Sequence, residues 1–177
     1  MYSNSRPPVE VFNFCPRCGS EDFITNGERS KLCNKCNFEY YFNTSTAVAG
    51  LIFNDKGELL FTRRAIEPHF GKLDLPGGFV EPMEIAEDAL ARELKEELGV
   101  DVKSMSYYCS FPNEYPFGGI CVFTLDLMFK VELETLQGLK AMDDISGFEF
   151  HDLHQVNLEE LPALSMKNLV NKLIQDE

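Results

Sequence analysis

The sequence predicts an α/β fold in which a mixed sheet lies between helices. Strand-like segments of mixed order occur with only two main helical segments, and such a combination is typical of helices that cover both faces of a sheet. At 177 residues with 44% hydrophobic content, the chain can bury one substantial core and a small accessory module. We therefore expect one large domain and one much smaller one.

The element boundaries follow from local patterns. Residues 46–53 and 59–64 predict two strands, and the turn Asn54-Asp55-Lys56-Gly57 between them is a strong hairpin signal. A glycine-rich loop at 68–78 precedes a helix at 85–98, which Gly99 closes as a left-handed cap residue. The later elements are expected to be strands at 102–110, 119–131 and 147–151, a loop at 132–144 and a terminal helix at 163–174.

Four of the six cysteines form two pairs with the spacing C-x2-C-x14-C-x2-C, namely Cys15, Cys18, Cys33 and Cys36. Without an export signal, this spacing indicates a tetrahedral structural zinc site rather than two disulfides; the alternative is unrelated buried or redox cysteines. Residues 13–42 would form this zinc ribbon, which is too short to fold on apolar burial alone. We expect residues 1–12 to be a flexible N-terminus and 46–177 to be the main domain.

The chain is strongly acidic, with a formal net charge of −13 and a pI near 4.6. Such a surface repels the phosphates of nucleic acids and of anionic lipids, so nucleic acid is an unlikely partner. No apolar run approaches the roughly 20 residues that a membrane span needs, and the N-terminal segment lacks the apolar core of a signal peptide. The sequence therefore predicts a cytoplasmic protein without a membrane partner. Aromatic residues near the 43–45 linker favour a homodimer.

The segment from Gly78 to Val100 carries seven acidic residues in 23 positions and yet has the pattern of a packed helix. At 100° per residue its apolar side chains form one face, and three glutamates interleave with that face rather than with the solvated side. Like charges placed together in this way are unfavourable unless a cation lies among them, and hard oxygen ligands suit Mg²⁺ or Mn²⁺. The alternative is an acidic amphipathic helix with a solvated charged face. The three glutamates are Glu93, Glu96 and Glu97.

This segment resembles the Nudix box, G-x5-E-x7-R-E-U-x-E-E-x-G-U, and matches its nine fixed positions. The resemblance implies an α/β/α sandwich over about residues 46–177 and hydrolysis of a pyrophosphate linkage. It further implies that Glu93 and Glu97 are the main metal ligands and that Glu96 is a third ligand or a base acting through water. A downstream carboxylate often completes the metal cluster in such enzymes, and Asp143 and Asp144 are the candidates, although they equally suit a plain turn.

Arg92 lies beside this patch in the sequence pattern and is able to pair with a box carboxylate and so orient it; the alternative is an ordinary surface arginine. Glu84 begins the helix, where the helix dipole favours a carboxylate, so we interpret it as structural first and metal-linked second. Gly78 permits close approach of the backbone to a phosphate, or merely a tight turn.

A zinc ribbon directly before such a domain resembles the NADH pyrophosphatase subfamily. The resemblance implies that Phe79 and Tyr41 stack on an adenine, whereas the alternative places both in the core of the small module. The subfamily motif S-Q-P-W-P-F-P corresponds here to residues 110–117, where Tyr115 and Phe117 keep its aromatic character but the tryptophan and the Gln-Pro pair are absent. Met83 stands where the family usually has glycine.

The expected substrate is therefore NADH, NAD or ADP-ribose, cleaved to release AMP, and RNA carrying a 5′ NAD cap is a further possibility from the same resemblance. The competing hypothesis is a non-catalytic regulator that senses a nucleotide and binds a macromolecular partner through the ribbon.

Overall fold

A computed structural model describes residues 6–177, and its contacts divide the chain into two units. The first consists of the described residues up to Ser45 together with Glu114–Phe123, and the second consists of Thr46–Asn113 and Thr124–Glu177. Residues 1–5 of the predicted flexible N-terminus lie outside the described residues, whereas Pro8–Val11 forms a short helix, α1. Within residues 6–177, no helix has the length and apolar character needed to cross a bilayer.

The first unit is built on one small antiparallel sheet of three strands in the order β1-β2-β3. Its strands are β1 (Phe23–Thr25), β2 (Ser30–Cys33) and β3 (Glu39–Tyr41). Its buried apolar core contains only Cys15, Phe23 and Cys33, with Cys36 and Phe38 packed beside them. The distant segment 114–123 joins this unit through a bridge between Arg6 and Ile120.

The remaining strands form two further sheets, with orders β10-β5-β6 and β7-β4-β9-β8. The elements are β4 (Ser45–Leu51), β5 (Leu59–Arg64), β6 (Leu73–Asp74), β7 (Gly77–Phe79), α2 (Ala86–Leu98), β8 (Val102–Phe117), β9 (Ile120–Leu133), β10 (Ile145–His151) and α3 (Leu164–Gln175). Two short 3-10 helices, Leu153–Gln155 and Leu158–Glu160, precede α3.

Helices cover the second unit from two sides. This follows from its strands, whose successive residues pack into two separate cores. Leu59 and Phe61 belong to the core that contains the apolar face of α3, whereas Leu60 between them belongs to the core that contains the apolar face of α2. Side chains along a strand alternate between its two faces, so a strand that is buried on both faces contributes to both cores in this way. The arrangement is therefore the expected α/β/α sandwich.

The predicted hairpin of residues 46–53 and 59–64 is wrong in its pairing. Both strands and the turn exist, but β4 and β5 belong to different sheets and meet only at the turn, where Phe53 bridges Leu59. Farther along, β4 pairs with β7 and β9 while β5 pairs with β10 and β6, so their hydrogen-bonding edges are already used.

The strand predicted at 102–110 continues to Phe117, so the stretch 110–117 that corresponds to the subfamily motif is also strand. Pro112 and Pro116 are compatible with this because β8 lies at the end of its sheet, where a missing N–H need not interrupt a ladder. The two glycines that follow, Gly118 and Gly119, have φ values of 58° and 81° and form the turn into β9.

Candidate active site

The site is built on α2, which follows the predicted boundaries within one residue. Ile85 is its extended N-cap residue, and Gly99 closes it with a φ of 71° and an N–H that donates to the Lys95 carbonyl at 3.1 Å. The apolar face of the helix is fully buried against the strands. This packing fixes the rotation of α2, and the rotation determines which of its glutamates face the protein.

Glu97 faces inward and is only 7% exposed. Its Oε2 accepts a hydrogen bond of 2.9 Å from the backbone N–H of Gly77. Burial raises the pKa of Glu97 to about 8, and the negative charges of Asp74, Glu93 and Asp144 act in the same direction, although the Gly77 bond opposes them. The carboxylate thus has one fixed donor and a surplus of negative charge around it.

Two glycines of β7 make this approach possible. Gly77 has a φ of 143°, and a Cβ atom there would lie 2.1 Å from the Val48 carbonyl oxygen. A Cβ atom on Gly78 would lie 2.5 Å from the carboxyl carbon of Glu93. Any larger residue would therefore push β7 away from β4 and from α2, which gives both glycines a structural reason in addition to the one predicted from the sequence.

Arg92 is held inside a set of acceptors rather than lying free at the surface. Its Nε and Nη2 each donate to one carboxylate oxygen of Glu84 at 3.0 Å, and Nη1 donates to Glu93 at 2.8 Å and to Glu96 at 3.2 Å. Nη2 also reaches the Phe79 carbonyl at 3.2 Å. Such a bidentate guanidinium fixes the carboxylates around it.

The pKa values reflect this arrangement. Hydrogen bonding by Arg92 lowers the pKa of Glu84, whose carboxylate also accepts from the Glu81 N–H at 2.9 Å. Burial raises the pKa of Glu93, although Arg92 opposes that shift. Glu84 therefore serves chiefly as the partner that positions Arg92.

Glu96 corrects the expectation that all three glutamates face the protein. Its side chain is 49% exposed and contacts Arg92 at the edge of the patch. Among residues 6–177, no three carboxylates bring oxygens within 4.8 Å of one another. Arg92 supplies the positive charge between them, which the helical pattern alone did not reveal.

Asp143 and Asp144 occupy a turn directly before β10 and are exposed. Asp143 has a φ of 51°, and the Asp144 carbonyl accepts from the Ala65 N–H at 2.8 Å. Their charges help raise the pKa values of Glu93 and Glu97, respectively. The N–H of Met142, directly before this turn, donates to the Glu97 carbonyl at 2.9 Å, so the turn lies beside the C-terminal end of α2.

Sequence reasoning missed one acid of this site, Asp74. It ends β6, and its carboxylate binds Nη1 of Arg64 at 2.6 Å and the Leu75 N–H at 2.8 Å. Burial raises its pKa against the effect of Arg64. The only signal in the sequence was its position directly before Leu75-Pro76-Gly77-Gly78.

The chemistry of the α2 site fits a hard divalent cation, because its donors are carboxylate oxygens with excess negative charge. Glu97, Glu93 and the 143–144 turn are the groups that would hold such an ion. Binding of an ion would replace part of the Arg92 contact to Glu93 or Glu96.

The four ribbon cysteines form a second candidate metal centre, and their Sγ atoms lie within 4.8 Å of one another. Cys15 and Cys36 are 3.7 Å apart, and Cys18 and Cys33 are 3.6 Å apart. Tetrahedral zinc with Zn–S bonds of about 2.3 Å requires sulfur separations of about 3.8 Å, so the quartet fits zinc. Burial favours the thiol of Cys33, but backbone hydrogen bonds from Cys36 and Lys35 outweigh it and lower the pKa to about 7.

Three of the predicted stacking residues, Tyr41, Phe79 and Phe117, are exposed in their respective units, and Tyr115 is half-buried. In the first unit, Tyr41 is 50% exposed, and Tyr115 and Phe117 stack with ring centroids 6.3 Å apart. In the second unit, Phe79 is 42% exposed. The alternative that Tyr41 and Phe79 are core residues is therefore wrong.

The fold and the site together define a class: an α/β/α sandwich in which an acidic helix with an internal arginine packs against a double-glycine strand. The model of the NUDIX domain matches residues 43–173, and the chain accordingly belongs to the NUDIX family. This membership confirms the expected fold class and the expected kind of enzyme, a Nudix pyrophosphohydrolase.

Two relatives illustrate the range of similar proteins. The chain is 36% identical to "ADP-ribose pyrophosphatase" of Methanocaldococcus jannaschii over 143 residues, which cover 78% of this chain and 76% of the relative. It is 34% identical to "NAD-capped RNA hydrolase NudC" of Stutzerimonas stutzeri over 168 residues, which cover 94% of this chain but only 55% of the relative. The chain thus spans about half the length of the NudC relatives it matches.

Solved structures support the fold alone. The MutT protein of Methanosarcina mazei superposes with a TM-score of 0.61 at 24% identity, covering 75% of this chain and 94% of that one. The NUDIX domain of Shewanella oneidensis NrtR, complexed with ADP ribose, superposes with a TM-score of 0.60 at 20% identity, covering 76% and 88%.

Proposed function

We propose that this protein hydrolyses the pyrophosphate bond of a nucleoside diphosphate derivative, NADH, NAD or ADP-ribose, and releases AMP. The observation that carries the proposal is Glu97, a buried carboxylate fixed by the Gly77 N–H and surrounded by other acids. A cluster of this kind is stable in its ionised form only with a cation, and a cation beside a phosphate-binding strand is what pyrophosphate hydrolysis requires. Relatives named for ADP-ribose and for NAD-capped RNA support this substrate class.

In this proposal Glu93 and Glu97 hold Mg²⁺ or Mn²⁺, with Asp143 or Asp144 completing the ligand set. Glu96 is a third ligand or a base acting through water. Its side chain is half exposed, so it can leave its contact with Arg92 to take either role. When bound, the ion neutralises phosphate charge and lowers the pKa of a coordinated water. Arg92 keeps Glu93 oriented through its anchorage on Glu84.

Substrate contacts are proposed for each unit separately. Phe79 of the second unit presents an exposed ring at the end of β7, next to Gly78. Tyr41 of the first unit presents another exposed ring, and the stacked Tyr115 and Phe117 form a third aromatic surface. Exposed aromatic faces of this kind are suited to stacking on a nucleobase.

We also propose that the cysteine quartet binds one structural Zn²⁺. The first unit has three buried apolar residues in its core, two of which are zinc-ligand candidates. A core of that size supplies little folding free energy without a metal.

The test is a substrate panel of NADH, NAD, ADP-ribose, Ap4A, dNTPs and RNA with a 5′ NAD cap, assayed with Mg²⁺ or Mn²⁺ and resolved by product. AMP with nicotinamide mononucleotide, or AMP with ribose 5-phosphate, is the expected result. Inorganic pyrophosphate from a dNTP would overturn the substrate class. Tight binding of a nucleotide without any turnover would instead favour the nucleotide-sensing regulator.

A further inference from the structure

The hydroxyl of Thr62 is buried in the middle of β5 without a hydrogen-bond partner. Thr62 is 0% exposed, and its Oγ1 contacts no donor or acceptor within residues 6–177. Burying a hydroxyl without a partner opposes folding, and native proteins rarely retain one unless a bound molecule or a function accounts for it. A valine of the same shape would fill this position without that penalty.

The strand register places Thr62 beside the acids of the active site. Thr62 is the direct cross-strand partner of Asp74 on β6, so the two side chains share one face of the sheet. The same face carries Leu60, which packs with α2, and Arg64, which binds Asp74 at 2.6 Å. Thr62 therefore lies on the side of the sheet that α2 covers.

Glu97 of α2 also has an acceptor oxygen without a donor among the described residues. Its Oε2 takes the Gly77 N–H, but no described residue donates to its Oε1. Gly77, whose N–H binds Glu97, follows Asp74 by three residues along the chain, and one oxygen of Asp74 accepts from Leu75 and the other from Arg64. Since each carboxylate oxygen accepts two hydrogen bonds, both acids retain acceptor capacity.

We propose that Thr62 is a positioning residue for Glu97, and that its hydroxyl acts through one buried water shared with Asp74 and Glu97. A buried water makes about three hydrogen bonds, and the hydroxyl of Thr62 with the acceptors of Asp74 and Glu97 supplies that number. The water fixes the second oxygen of Glu97 as the Gly77 N–H fixes the first. The inference rests on the proposed function, because it assumes that Glu97 acts in hydrolysis.

The experiment compares Thr62→Val, which removes the hydroxyl at constant shape, with Thr62→Ser, which keeps the hydroxyl and removes a methyl group. We expect Thr62→Val to lower kcat roughly tenfold with KM changed less than about twofold, as for other residues that orient a metal ligand. Thr62→Ser should retain kcat within about twofold although it creates a small cavity. A purely structural role would give the reverse order, with Ser at least as damaging as Val.

A matched control is Thr124→Val. Thr124 is also buried, but its hydroxyl has a partner, Asp126, at 2.6 Å. This variant loses a known hydrogen bond, so its Tm should fall while kcat stays within about twofold. The control variant shows how far a Thr→Val change lowers Tm and kcat when the hydroxyl does not position Glu97.

The Tm of the metal-free Thr62→Val variant gives a second readout that does not depend on turnover. A fall of a few degrees is expected because a bonded hydroxyl is lost. A rise would show that the hydroxyl has no partner and would overturn the inference. Unchanged kcat in Thr62→Val would overturn it as well. If the wild-type protein hydrolyses nothing in the substrate panel, the proposed function fails, whereas the sign of the Tm change still reports on the hydroxyl.

Discussion

The two candidate metal centres of this chain hold their ligands in opposite ways. In the ribbon, the four Sγ atoms lie within 4.8 Å of one another, so they already occupy the corners that one zinc ion needs. On α2, the carboxylates are spread among protein partners: Glu93 and Glu96 contact Arg92, and Glu97 accepts from Gly77. Ligands that already converge on one point suit a permanent structural metal, whereas ligands that are spread apart suit an ion that exchanges with substrate and product.

The surroundings of the two centres differ in the same direction. Three buried residues form the core of the ribbon, while the second unit has two apolar cores of 12 and 11 buried residues. Burial on that scale stabilises the second unit without any metal. Metal loss should therefore unfold the first unit and merely inactivate the second.

The largest effect is expected from Glu97→Gln. The substitution removes one negative charge at constant volume, and its amide oxygen still accepts the Gly77 N–H, so we expect kcat to fall by roughly 10³-fold with a native circular dichroism spectrum. Glu87→Gln, on the exposed side of the same helix, is the matched control and should keep wild-type activity. Wild-type turnover in Glu97→Gln would remove Glu97 from the site and end the contrast between the two centres.

The second prediction concerns the ribbon. Cys33→Ser should lose the bound zinc, measured by elemental analysis as a fall from about one ion per chain to none, because zinc prefers four thiolate or imidazole ligands. Backbone amides of β1–β3 should then lose protection in hydrogen exchange, while those of β5 and α2 keep it. Cys109→Ser serves as the control, since Cys109 lies outside the quartet. Full zinc content in Cys33→Ser would show that the quartet is not a metal site.

The third prediction sharpens the role of Arg92. Arg92→Lys keeps the charge but cannot make the bidentate contact with Glu84 and reach Glu93 as well. We expect kcat to fall about 10- to 100-fold, because Glu93 loses its orientation rather than its presence. Lys95→Arg is the control, since Lys95 is exposed and pairs with Asp101 away from the site. Equal activity of Arg92→Lys and wild type would make Arg92 an ordinary surface arginine.

Local patterns predicted the parts of both centres that depend on nearest neighbours along the chain. The cysteine spacing, the limits of α2 and its cap at Gly99 follow from turn geometry and helical periodicity. The pairing of β4 was not predictable from the turn at 54–57, because strand edges are chosen by partners far along the chain. The direction of Glu96 was predicted wrongly for a related reason. The 3.6-residue period places a side chain on one side of the helix, but it does not show that the Arg92 guanidinium draws the Glu96 carboxylate to the edge of the patch.

Asp74 and Thr62 were missed because neither carries a spacing signal of its own. Each becomes significant only through the register between β5 and β6, which places both on the face that α2 covers. A register of this kind depends on tertiary packing. The sequence therefore predicted the two candidate sets of metal ligands and the pairing of Arg92, but not the strand residues that lie beside one of these sets.

The final prediction concerns stability rather than activity, and it is a pH dependence of opposite sign at the two centres. The pKa of Glu97 is about 8 in the folded protein, above the ordinary value of 4.5, so between these limits the folded state binds a proton that the unfolded state releases. The stability of the metal-free protein should therefore fall as pH rises from about 4.5 to 8, by at most about 1.4 kcal/mol per pH unit. Acid should instead weaken the ribbon, because its zinc needs thiolates.

Denaturant unfolding of metal-free wild type and Glu97→Gln across this range isolates the Glu97 contribution as the difference between the two curves. Saturating Mg²⁺ should abolish the difference between the two slopes of unfolding free energy against pH, since the ion favours the ionised carboxylate. Parallel slopes without Mg²⁺ would contradict the prediction, because they would show that protein groups already stabilise the ionised form of Glu97.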